Sequence, residues 1–87
     1  MEKTRWLVGP EHDQAVRQRL NAALGRCGFE VRNASYGMAG SQEVSQWSAI
    51  GPAGRLEVEA ETYIGLTVEG PTHLVEFAKA EFQRAHG

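Results

Sequence analysis

The sequence predicts an α+β fold in the order βαβββα, a mainly antiparallel sheet with two helices packed on one face. Three observations carry this. The segments after Gly9-Pro10 and Gly70-Pro71 space their apolar residues at a helical period. Much of the chain between them alternates apolar and polar residues, as half-buried strands do. Gly51-Pro52-Ala53-Gly54-Arg55 joins two alternating runs through a turn sequence. Each helix has one apolar stripe to bury, and a sheet with a single covered face gives both stripes the same surface. With 87 residues and no low-complexity linker, the chain is expected to form one domain over 1–87.

The elements follow in order. Thr4 to Val8 reads as a short strand stopped by Gly9-Pro10, where proline suits the first position of a helix. In that helix Val16, Leu20, Ala23, Leu24 and Cys27 form one stripe, Arg17, Gln18, Asn21 and Arg26 face water, and Gly28 is the left-handed stop. Phe29 to Arg32 alternates as a strand, and Asn33-Ala34-Ser35 reads as a turn. Residues 36 to 50 read as a strand interrupted near Gly37 and Gly40, with Tyr36 to Ser41 open between strand and loop. A three-residue hairpin loop at 52–54, with Pro52 opening a type I turn and Gly54 left-handed, then sets the register. Ile50 would face Leu56, Ser48 would face Val58 and Val44 would face Thr62, while on the other face Trp47 would lie opposite Glu59 and Ala49 opposite Glu57. From Leu56 to Val68 the even positions stay apolar with no turn residue near Glu61 to Tyr63. The segment therefore reads as one strand of about 13 residues, longer than usual and bent at Gly65. The same register carries Gln42 opposite Ile64 and Met38 opposite Val68. Leu74, Phe77, Ala78 and Phe82 mark a second helix running to about Ala85.

Composition bounds the function. Leu, Ile, Val and Phe number 18 of 87, just above the ~20% below which chains tend to stay disordered, and the net charge is only −2. The single Cys27 excludes an internal disulfide framework, and the first ten residues are too short in apolar residues for a signal peptide, so a cytoplasmic location is expected. No apolar run approaches the length of a membrane span. Up to Arg32 the chain carries a net charge of +2; beyond it, −4. An acidic field of this kind repels phosphate backbones, so nucleic acid is not an expected partner. After its first strand the predicted order is similar to that of double-stranded RNA-binding domains. The second helix, however, begins Pro71-Thr72-His73-Leu74-Val75-Glu76-Phe77 without the basic cluster that holds phosphates, and no nucleic-acid role is carried over.

Two constellations remain. In the expected register Glu57, Glu59 and Glu61 point from one strand onto the face away from the helices, and Trp47 stands among them. Successive side chains on one strand face are roughly 7 Å apart, too far for three carboxylates to ligate one ion unaided, so no metal and no cofactor is expected. An indole ringed by carboxylates instead suits recognition of a basic protein partner, or of a second copy of the chain. This is the leading expectation: an interaction or regulatory module, more a binder than an enzyme, acting through Trp47, Glu57, Glu59 and Glu61. The alternative is a small anion, or an enzyme's anionic substrate, held by two helix starts through His12, Thr72 and His73. It requires the first and last strands to be parallel neighbours. Cys27, on the helix stripe, is expected to be a small buried apolar residue with no partner for thiol chemistry.

Overall fold

The computed structural model describes residues 2–9, 14–40, 42–61 and 64–84. Among them run β1 (Lys3–Gly9), α1 (Gln14–Arg26), β2 (Glu30–Ala39), β3 (Gln42–Gly51), β4 (Gly54–Glu61), β5 (Gly65–Pro71) and α2 (Thr72–Arg84). All four adjacent strand pairs are antiparallel, and the sheet order is β1-β5-β4-β3-β2. The first strand thus lies beside the last, and β1 and β2 form the two edges. Both helices pack on one face of this sheet, as an α+β fold with amphipathic helices requires.

The covered face follows the alternation of each strand. Trp6 of β1, Val68 of β5, Val58 of β4 and Trp47 of β3 form one row across the sheet. Leu56, Ala49, Leu66 and Ala60 lie in the rows on either side of it, and Phe29 closes the end beside Gly51. Leu20, Ala23 and Leu24 come down from α1, and Leu74, Val75 and Ala78 from α2. Leu20, Leu24, Leu56, Leu66, Val58, Val68 and Val75 are fully buried; each such side chain contributes roughly 1.5 to 3 kcal/mol relative to exposure. The α1 stripe is the expected one, with Val16 and Cys27 packed at its margin. That of α2 is rotated. Val75 is buried where Phe77 was expected, and Phe77 is 56% exposed. Phe82 meets Trp6 edge to face at 5.4 Å, the Arg19 guanidinium stacks over Phe82 at 4.4 Å, and Arg26 Nε donates to Glu81 Oε1 at 2.8 Å, tying the helices together. The radius of gyration is 12.3 Å, close to the ~12 Å of a single compact body of this length.

Three sequence expectations are corrected. The long strand is two: β4 and β5 fold back on each other, with Ala60 opposite Leu66 and Val58 opposite Val68, and Ile64 N–H donates to the Glu61 carbonyl at 3.2 Å to close the turn. Asn33 to Ser35 is not a turn but a bulge inside β2, where the register shifts between Arg32 and Ser35, and the reversal comes at Gly40, φ 67°. Residues 36 to 39 therefore pair with β3, and Met38 faces Glu43 rather than Val68. Third, the β3–β4 hairpin has a two-residue loop. Gly51 faces Gly54, which moves the register by one and puts Trp47 opposite Val58 and Ala49 opposite Leu56. This register turns the indole and the Ala49 methyl, rather than Ser48 and Ile50, toward the helices. It also places two residues without side chains where Phe29 and Leu74 close over the hairpin end, since a Cβ on Gly51 or Gly54 would come within 3.0 and 2.8 Å of those side chains.

Candidate functional site: the open face of the sheet

The face turned away from the helices has its own rows. Arg5, Glu69, Glu57, Ser48 and Arg32 cross it from β1 to β2, and beside them run Leu7, Thr67, Glu59, Gln46 and Ser35. A groove of about 390 Å³ lies over β1, β5 and β4, lined by Arg5, Glu57, Glu59, Glu61, Ile64, Thr67 and Glu69. Thr67 in the groove and Ser48 beside it on β3 are 5% and 2% exposed although they lie on the open face by alternation. Ser48 Oγ donates to Glu57 Oε2 at 2.9 Å and accepts from Arg55 Nη2 at 3.0 Å. Leu7 and Ile64 supply an apolar margin, 61% and 49% exposed.

The carboxylates are unequally compensated. Glu57 is bridged by Arg55, and Glu59 by Arg5 at 3.8 Å and by the Gln46 amide at 2.9 Å. Among the described residues Glu61 and Glu69 have no salt bridge. Burial in the groove, then the neighbouring Glu59 carboxyl, push the Glu61 carboxyl above its ordinary range, with Arg5 pulling weakly the other way. A raised folded value means that the native state holds this proton more tightly than the unfolded chain. The ionised form therefore detracts from stability, fully so above the folded value, and the penalty disappears as pH falls through that value to the ordinary one. Glu81 has the opposite sign. The Arg26 hydrogen bond holds it below its ordinary range, so its contribution is present above the ordinary value and is lost as pH falls through the folded one. Glu61→Gln is expected to leave the urea midpoint unchanged or raised at pH 7, with the difference from the parent vanishing near pH 4. A midpoint lowered at pH 7 and equal at pH 4 would reverse this assignment.

The structure corrects both predicted constellations. Glu57, Glu59 and Glu61 do share the open face. Trp47 does not: it is 8% exposed on the covered face, its Nε1–H donates to Asn21 Oδ1 at 3.2 Å, and the Arg17 guanidinium lies 5.2 Å from its ring centroid. Two α1 residues expected to face water thus cap the indole. Ile64, Thr67 and Glu69 join the groove because β5 folds back on β4, and Arg5 because β1 pairs with β5, a long-range pairing that no local spacing signals. The helix starts do not converge. β1 and β5 are antiparallel; α1 begins over the Gly9 end, where Val16 lies 3.3 Å from a Cβ placed on Gly9, and α2 begins at the Lys3 end. There Thr72 shares a hydroxyl hydrogen bond with Thr4 at 2.8 Å and donates its N–H to the Glu2 carbonyl at 3.2 Å. His73 is exposed, and His12 lies outside the described residues. Cys27 is half-buried, and burial followed by Glu81 raises its thiol pKa, against the reactive thiolate. Among the described residues no three acidic, histidine or cysteine side chains are grouped to hold a metal, and no helix is long and apolar enough to cross a membrane. The chain matches no protein-family model, no curated protein and no solved structure.

Proposed function

We propose that this protein is a small interaction module that takes a basic, extended segment of another protein on the open face of its sheet. The observation that carries the reading is the groove over β1, β5 and β4, lined by four carboxylates of which Glu57 is paired with Arg55 and Glu59 with Arg5 while Glu61 and Glu69 have no salt bridge among the described residues, beside the apolar Leu7 and Ile64. Glu57, Glu59 and Glu61 recur about every 7 Å along β4, the repeat of alternate residues in an extended peptide, so lysines or arginines at every second position would meet them in turn. Face-to-face pairing of two copies is disfavoured on the same ground. β4 is the central strand, and a two-fold axis centred on the face sets its glutamates against their own copies.

The test is an NMR titration with a synthetic peptide of alternating lysine and threonine, with an alternating glutamate and threonine peptide as control. Amide shifts are expected at Glu57, Glu59, Glu61, Thr67 and Glu69 with the basic peptide alone, fading as salt is raised. Glu61→Lys should weaken binding about fivefold or more. Shifts scattered over the helices, or equal with the acidic peptide, would dismiss the reading.

A further inference from the structure

The two edges of the sheet are protected unequally. β1 carries Lys3 and Arg5 and is interrupted by a register shift between Leu7 and Gly9, the devices that keep an edge strand from pairing with another chain. β2 spends its bulge between Arg32 and Ser35 and then continues as Ser35-Tyr36-Gly37-Met38-Ala39, five residues with no charge and no proline. This stretch lies beyond the cover of α1. Tyr36 and Met38 point to the helix side yet are 64% and 61% exposed, and the Tyr36 hydroxyl donates to Glu43 Oε1 at 3.1 Å and lies 3.8 Å from Met38 Sδ of the same strand. A groove of about 320 Å³ beside the same ribbon is lined by Ser35, Tyr36, Gly37, Met38, Val44 and Gln46.

We propose that this half of β2 is a homodimer edge, at which two copies pair antiparallel about Gly37. The stretch is self-complementary in that register. Gly37 faces Gly37 of the second copy, and Tyr36 faces Met38 of the second copy twice over, giving two thioether–aromatic contacts on one face and no like charges in opposition. A heterologous strand of arbitrary sequence would find no such match, and the basic segment taken by the open face would find no carboxylate within residues 35–39. The two-fold axis is perpendicular to the sheet, so the dimer is one ten-stranded sheet with all four helices on one side and both open faces continuous on the other. A five-residue ladder buries less than the ~1,000 Å² of a stable interface, so the dimer is weak and reversible.

Sedimentation of the full chain from ~10 μM to ~1 mM should show a monomer passing reversibly to a dimer. Gly37→Lys sets two lysines directly opposite one another in the dimer. In the monomer the backbone there is that of an ordinary strand residue, and a Cβ meets nothing within 4 Å. The variant should unfold at the parent's urea midpoint while its association weakens about fivefold or more, and Gly37→Glu should behave likewise. An equal mixture of the two should recover dimer, because the facing charges then attract. Met38→Lys, at an equally open position, gives a second disruption. A parent that stays monomeric at ~1 mM, variants that associate as the parent does, or a mixture no better than its components would each overturn the proposal.

Discussion

Trp47→Ala is expected to cost about 3 to 5 kcal/mol of stability, the range for removing a buried tryptophan. A domain of 87 residues is stable by roughly 4 to 13 kcal/mol, so the variant would lose much or all of its native state. Its indole sits in the row with Trp6, Val68 and Val58, under Arg17 and Asn21 of α1. Truncation opens a void beneath that helix and leaves Asn21 to water. Trp47→Phe separates the two losses, since it keeps most of the packing and gives up the Nε1 donor, at a cost of about 1 kcal/mol. Urea unfolding of the three proteins checks both. If Trp47→Ala unfolded at the parent's midpoint while losing affinity for the basic peptide, the indole would belong on the open face and the hairpin register would have to move by one.

Gly65→Val should be nearly as damaging, at about 3 kcal/mol or more. Gly65 has φ 109°, a conformation that a β-branched residue avoids, and a Cβ there would lie 2.7 Å from the Gly9 carbonyl oxygen and 3.1 Å from Leu7 Cδ1. Backbone cannot yield as a flexible side chain does, so the substitution would push β1 from β5 at the point where the β4–β5 turn closes. The loss should appear as a lowered urea midpoint, with amide exchange fastest in β1. Parental protection of β1 in the variant would show that the contact with Gly9 relaxes freely.

What could be read from the sequence, and what could not, divides along one physical line. Periodicity located both helices and the inward phase of β4, because burial imposes it residue by residue. It failed where two arrangements share a period. Ala60 pairs with Leu66 and Val58 with Val68, even number against even number, so a chain that doubles back keeps the alternation of one that runs straight. The turn was marked only by Gly65, which a bend would also use. In the β3–β4 hairpin the difference between two and three loop residues is a single position, yet it carries Trp47 from one face to the other. One member of the α2 stripe was misplaced because Val75 and Phe77, two positions apart, are both apolar. In the groove, the three glutamates of β4 were legible from alternation alone. Thr67 and Glu69 were not, since they arrive through the β4–β5 reversal that the shared alternation conceals, and Arg5 was not, since it arrives through the long-range pairing of β1 with β5.

That pairing has a kinetic consequence. Strands β2 to β5 form a meander in which each strand finds its neighbour as soon as that neighbour exists. Val58 and Val68 are 10 residues apart, whereas Trp6 and Val68 are 62 apart. Closing the longer loop costs about 1.6 kcal/mol more in chain entropy, so β1 should dock late, onto a meander already formed. During synthesis the first strand to emerge waits for the last. Until Pro71 has cleared the exit, Trp6 and Leu7 have no complete strand to lie against, and the sheet's eventual edge keeps its apolar side chains in water for that time.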